Sequence, residues 1–442
     1  MTTSPASAQL TAPPLSVDHW SDISPIRRGP KAKISAAIAR RIFFQVTERL
    51  GITVSTDGSG DLSGADLVLH RPDEFFARLG NDGLIGFGES YMTGAWDAKD
   101  LGGTLGVLCE QIGDLVPMWM QRMRSVYVSR PPRHQKNSTK NTRRNIAHHY
   151  DLSNDLFRLF LDPTMSYSSA MFPTDSMTRG LHTVLAPPIA GSDLTEAQGR
   201  KIESILDAAG VTAGTRVLEI GTGWGELAIR AARRGATVRS VTLSSEQQAL
   251  ARARFADAVA AEGLRADAVQ VDLLDYRALV STGSTGELYD AVVSVEMIEA
   301  VGYEYLTSYF ETIDQVLAPG GKVAIQAITM PHDRMLATRR TWTWIHKYIF
   351  PGGFLPSTEL LDEVTSRGTT LRLQHRTTFG SHYAETLRQW DAAFMGAQQQ
   401  VLDLGFDETF RRLWHFYLDY SRAGFASGYI DVQQLTFARE DA

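Results

Sequence analysis

The feature that most constrains the fold is a short apolar run, Arg216-Val217-Leu218-Glu219-Ile220. It passes directly into Gly221-Thr222-Gly223-Trp224-Gly225 and then into a helix-forming stretch. A buried strand, a glycine turn and a helix in that order open an alternation that fills most of the remaining chain. Residues 238–243 read as a second strand, followed by an alanine-rich helix over about 245–262. Further strands are expected at 268–271, 290–295 and 322–328, with helical stretches between them. Parallel strands need crossover connections, and helical crossovers cover both faces of a sheet. The expectation is therefore α/β, a mostly parallel, doubly wound sheet of Rossmann-like type. The segment 429–439 alternates apolar and polar side chains and is expected to close the sheet as an antiparallel edge strand.

The chain has 442 residues, more than one ordinary domain holds, and the part before the alternation has a different character. Residues 1–30 are rich in Pro, Ser and Thr and read as a disordered leader. They lack the basic start and apolar core of a signal peptide. Helical periodicity at 37–50, a strand at 68–70 and a proline-first helix from Pro72 make 31–128 a small α+β domain. A linker is expected at 129–145, and 146–442 forms the α/β domain. The single cysteine, Cys109, allows no intrachain disulfide and fits a reducing, cytoplasmic setting. No apolar run reaches the roughly 18 residues a membrane-crossing helix needs.

The net charge of −6 hides an asymmetry. Between Asp114 and Asp151 there is no acidic residue, while Arg122, Arg124, Arg130, Arg133, Lys136, Lys140, Arg143 and Arg144 all fall there. One reading is a solvated linker. The other is attraction to anionic headgroups, about 1 kcal/mol per basic side chain near the surface. Trp119 and three methionines beside the run suit an interface, so peripheral association with the inner membrane face is expected. No recognition motif supports a nucleic-acid partner, and no metal-ligand cluster stands out.

A glycine turn after a strand lets a ligand approach the main chain closely, and nicotinamide and flavin proteins use similar turns. Two details discriminate here. The acid, Glu219, stands before the glycines, where it suits the ammonium of an amino-acid-bearing cofactor and would repel a pyrophosphate. The second strand ends Thr242-Leu243-Ser244, without the acid that a dinucleotide enzyme places on the ribose. Both point to S-adenosyl-L-methionine.

Several further segments, taken in order, resemble the cyclopropane fatty acid and mycolic acid synthase family. They are 149–162 (HYDLSNDLFRLFLD), 165–172 (MSYSSAMF), the glycine turn, 241–247 (VTLSSEQ), 294–302 (SVEMIEAVG) and 348–357 (YIFPGGFLPS). The stretch 83–97 (GLIGFGESYMTGAWD) resembles the amino-terminal domain of the phospholipid-acting members. The resemblance implies a class I methyltransferase fold in which Tyr150, Tyr167 and Ser168 cover the cofactor's amino-acid end. Gly221 and Gly223 would lie against it with Glu219 nearby, Thr242, Leu243 and Gln247 would meet the ribose, and Asp275 and Tyr276 would flank the adenine.

It also implies the chemistry. An alkene of a phospholipid acyl chain takes the methyl group, a carbocation forms in a site that excludes water, and a proton must then leave to a base. The family holds a bicarbonate for that purpose. The matching positions here are Ser169, Glu299, Gln326 and Tyr383, with Ile328 as a main-chain contact. The family's cysteine has become Ser169, its histidine Gln326, and its middle Glu-His pair Glu299-Ala300. Serine and glutamine still offer hydrogen bonds to an oxyanion. Alternatively Glu299, if buried, serves as the base itself. The combination resembles the actinobacterial branch that forms 10-methylene acyl chains for a separate reductase. A cyclopropane product, or a non-catalytic lipid-binding role, is the alternative. Relatives that act on phospholipids suggest a homodimer.

Overall fold

The computed structural model describes residues 20, 22–56, 62–115, 153–281 and 288–439. The linker at 129–145, the basic run from Arg122 to Arg144 and Tyr150 fall outside these residues. The described chain divides into two compact units.

The first unit holds the residues before the linker together with Phe394–Ala423. Strands β1 (Val54–Ser55), β2 (Leu67–Leu69) and β3 (Trp96–Ala98) form a small sheet, parallel between β1 and β2 and antiparallel between β2 and β3. The helices Pro30–Arg49 and Pro72–Met92 both begin on proline, whose missing N–H costs nothing in a first turn. Phe43, Phe75, Phe76, Phe87 and Trp96 pack edge-on around each other as its core.

Phe394–Ala423 departs from the expected division, which kept all of 146–442 in one domain. Arg412 shows why it belongs with the first unit. Its guanidinium is buried, donates to the carbonyls of Tyr91 (2.6 Å) and Trp96 (2.9 Å), and pairs with Asp97 at 2.7 Å. A buried cation needs such partners, and only the first unit supplies them.

The second unit is built on a nine-stranded sheet. Its strands are β4 (Ser176–Arg179), β5 (His182–Leu185), β6 (Arg216–Ile220), β7 (Thr237–Thr242), β8 (Val269–Leu273), β9 (Tyr289–Val295), β10 (Leu317–Thr329), β11 (Leu371–Thr378) and β12 (Asp431–Arg439). They lie in the order β4-β5-β11-β12-β10-β9-β6-β7-β8, and β10, β9, β6, β7 and β8 are mutually parallel. Alternate residues of β6 enter opposite layers. Val217 packs with Ile202 and Ile205 of the helix Leu194–Ala208, while Leu218 and Ile220 pack with Tyr309, Phe310 and Ile313. Each fully buried side chain of this kind contributes about 1.5–3 kcal/mol.

Strand β12 corrects the expected edge strand. It is antiparallel, but it lies inside the sheet between β10 and β11, and Val432, Gln433, Gln434 and Leu435 are all buried. The edge beyond β11 is closed instead by the β4–β5 hairpin, whose exposed side chains gave no apolar alternation to read. Among the described residues no helix is long and apolar enough to cross a membrane.

Candidate active site

β6 lies between β7 and β9, so the chain leaves it in one direction for β7 and β8 and in the other for β9 and β10. A crevice opens at the carboxyl ends of strands where the order reverses in this way. The turn after Ile220 falls there, with Gly221, Gly223 and Gly225 at φ of 101°, 52° and 90°. L side chains rarely adopt these angles, which is why the turn is written in glycine. The resulting cleft has about 1080 Å³ of free space including its mouth.

Nine of the residues expected to bind the cofactor line this cleft: Tyr167, Ser168, Glu219, Gly221, Gly223, Thr242, Leu243, Gln247 and Tyr276. The Thr242 hydroxyl donates to Gln247 Oε1 at 3.0 Å, so the two form one polar edge. Tyr276 meets Tyr309 edge to face at 5.2 Å. Asp275 is not among the lining residues; Arg277 takes its carboxylate at 2.6 Å and its turn is closed by Ala278 N–H.

Two buried charges dominate the floor. Glu219 is fully covered and accepts from Ser240 Oγ, and burial pushes its carboxyl up to about 8. Lys201, also buried, donates to Ser168 Oγ at 2.5 Å, and burial holds its ammonium down to about 8. Burial outweighs the Ser240 hydrogen bond and the nearby Lys201 charge, so Glu219 favours its neutral form, and a bound ammonium would reverse that preference.

Beside them lies a group of hydrogen bonds centred on Glu296, which also lines the cleft. Glu296 Oε1 accepts from the main-chain N–H of Ser169 (2.9 Å) and from Gln326 Nε2 (2.8 Å), and Oε2 accepts from the Tyr383 hydroxyl (2.7 Å). Gln434 Nε2 donates to Gln326 Oε1 at 3.1 Å, which turns the Gln326 amide so that its NH₂ faces the carboxylate. The Ser169 hydroxyl points elsewhere, donating to the Ala170 carbonyl at 3.0 Å. Glu299 accepts from Ile328 N–H, and its Oε2 has no partner among the described residues. Burial, then the neighbouring Glu296, push the Glu299 carboxyl up to about 8. All five expected catalytic positions thus gather around one carboxylate pair.

Residues 137–435 match the family profile described as mycolic acid cyclopropane synthetase. The chain belongs to this family. Over 438 residues, 98% of each chain, it is 49% identical to the tuberculostearic acid methyltransferase UfaA1 of Mycobacterium tuberculosis strain H37Rv. It is 30% identical over 414 residues to the cyclopropane-fatty-acyl-phospholipid synthase of Escherichia coli K12, covering 90% of this chain and 93% of that one. Among solved structures, the mycolic acid cyclopropane synthase CmaA1 complexed with SAH and CTAB superposes with a TM-score of 0.55 at 30% identity, covering 70% of this chain and 98% of that one.

Family and fold make the chain an S-adenosylmethionine-dependent C-methyltransferase of unsaturated fatty acyl chains. The cofactor supplies an electrophilic methyl group when bound, and the cleft fits it: a glycine turn for close approach, and a buried carboxyl, Glu219, that a bound ammonium would ionise.

Two residues of the site escaped the sequence. Lys201 carried a usable signal, because it falls on the apolar face of its helix with Ile202 and Ile205. Glu296 carried none. It stands inside the resemblance segment 294–302, three residues before Glu299, and only the meeting of β9, β10 and the helix Gly380–Gly396 shows what surrounds it.

Proposed function

We propose that this chain transfers a methyl group to the double bond of a phospholipid-bound oleoyl chain and releases a 10-methylene acyl product. The observation that carries the reading is the identity of 49% with a tuberculostearic acid methyltransferase across 98% of both chains, against 30% with a cyclopropane synthase. A methylene at carbon 10 is the product that a separate reductase would convert to a methyl branch.

In this reading Glu219 holds the cofactor's ammonium, Thr242, Leu243 and Gln247 meet the ribose, and Tyr276 flanks the adenine. Burial of Phe354 and Trp344 in the segment after β10 supports a dry wall for the acyl chain. The Phe354 N–H donates to the Glu299 carbonyl at 2.9 Å, tying that wall to the carboxylate pair. The basic run from Arg122 to Arg144 supports docking on an anionic membrane surface.

The test is incubation of the protein with S-adenosylmethionine and oleoyl-phospholipid vesicles, followed by NMR of the released acyl chains. Exocyclic methylene protons are the expected signal. Cyclopropyl protons would instead make this a ring-forming member of the family.

A further inference from the structure

Every donor that the family resemblance assigns to a bicarbonate already has a partner within the chain. Ser169 N–H, Gln326 Nε2 and Tyr383 Oη all donate to Glu296, Ile328 N–H donates to Glu299, and Ser169 Oγ donates to a carbonyl. A bicarbonate would have to displace Glu296 and then lie beside two buried carboxyl groups. Like charges in a dry site repel, so these residues do not fit that anion.

We propose that Glu296 is the general base of the reaction, a carboxylate built into the chain at the seat of the bicarbonate. The proposal rests on alkene methylation itself and not on the methylene outcome, because ring closure and methylene formation each require one proton to leave the added carbon.

The alkene π pair forms the new C–CH₃ bond, the C–S bond of the cofactor breaks with its pair left on sulfur, and the neighbouring carbon becomes cationic. For the methylene product, a hydride moves from the methyl-bearing carbon to that cation. Glu296 then takes a proton from the methyl group, and the released C–H pair becomes the C=CH₂ bond. For a ring, the same pair closes the third carbon–carbon bond without the hydride shift.

Three further observations support the assignment. Glu296 lines the cleft that holds the glycine turn, so its carboxylate borders the space where the methyl group arrives. Its backbone is left-handed, φ 49°, and the one other non-glycine residue in that region among those described, Met165 at 56°, lines the same cleft. Such strain persists where the surroundings enforce it, and it clusters at functional sites. Burial pushes the Glu296 carboxyl up, against Ser169, Gln326, Tyr383 and the charge of Lys201, which strengthens it as a base while its donors favour the ionised form. Glu299, pushed up to about 8, leaves one oxygen unpartnered while both oxygens of Glu296 accept hydrogen bonds, so Glu299 is the member of the pair that keeps a proton.

The experiment measures S-adenosylhomocysteine release, which does not depend on product identity, in buffer freed of carbon dioxide and with bicarbonate restored. Wild-type turnover should be the same in both. Glu296→Gln should lose at least about 100-fold in turnover, with cofactor affinity by calorimetry within about threefold of wild type. Should that variant fold poorly, Glu296→Gly is the second probe, since glycine suits the backbone angle. It should be inactive without bicarbonate and recover activity when bicarbonate fills the vacated donors. Wild-type turnover that collapses without bicarbonate, or a Gln variant within threefold of wild type, would overturn the proposal. Cyclopropyl protons in the wild-type product would sink the methylene reading and leave Glu296 as the base.

Discussion

Three carboxyl groups at the site differ only in their surroundings, and those surroundings set what each can do. Glu219 and Glu299 are both pushed up to about 8, chiefly by burial. A folded-state value above the unfolded one, near 4.5, means the folded protein binds the extra proton. That stabilisation is complete below about pH 4.5 and is lost as pH rises through 8. The cofactor-free protein should therefore melt at a falling temperature from pH 5 to 8.5, and Glu219→Gln should flatten the decline. Cofactor binding, which would give Glu219 an ammonium partner, should release a proton near pH 7. Calorimetry in buffers of different ionisation enthalpy reads it, and no buffer dependence would remove Glu219 from that role. Loss of this charged contact in Glu219→Gln should weaken cofactor binding by about 10- to 100-fold. Glu299→Gln imitates a carboxyl that already carries its proton. Its turnover should stay within about tenfold of wild type, in contrast to Glu296→Gln.

At the scale of elements, the site depends on how closely β6, its turn and two helices approach. Gly225 caps the helix Glu226–Arg233 in a left-handed conformation. A Cβ added there would stand 3.0 Å from the Cβ of Ala251 on the helix Ser245–Glu262. The third glycine of the turn is thus a packing residue, whereas Gly221 and Gly223 line the cleft, Gly223 with open space and Gly221 close to Met297, whose Cγ would stand 3.2 Å from an added Cβ. Gly225→Ala should destabilise the protein by about 1–3 kcal/mol through strain and overpacking. Thermal unfolding measures it, and an unchanged midpoint would contradict the packing role. The sequence indicated three glycines in a ligand turn, and their division between ligand and helix becomes visible only once the second helix is in place.

At the scale of the molecule, each unit has its own core, and the carboxyl-terminal third of the chain contributes to both. Phe394–Ala423 belongs with the first unit, and Gly424 onward returns to the second to supply β12. Arg412 is the strongest local reason for the first assignment. Arg412→Leu would take one donor each from Asp97, which keeps His70 at 2.9 Å, and from the Tyr91 and Trp96 carbonyls, and removing one partner of a buried pair typically costs about 3–5 kcal/mol. Hydrogen exchange should report lost protection in Leu67–Leu69 and Trp96–Ala98 while the strands of the second unit keep theirs. Uniform loss across both units would show that they unfold as one.

Local sequence determined the elements whose causes are local. The strand into Ile220, the glycine turn, the helix Ser245–Glu262 and the parallel core follow from apolar periodicity and from the angles that glycine alone tolerates. The ordered motifs likewise carried the family and its cofactor. Tertiary structure decided whatever depends on partners distant in the chain. β12 reads the same at an edge or in the interior, and only its burial between β10 and β11 distinguishes the two. Residues 394–423 look like ordinary helix until Arg412 finds Asp97, 315 residues earlier. Glu296 is one acid among 50 acidic residues in the sequence, and it becomes the centre of a site because Ser169, Gln326 and Tyr383 arrive from 127, 30 and 87 residues away. Periodicity and turn chemistry act between near neighbours, whereas burial and hydrogen-bond partnership are set by whatever the fold brings alongside.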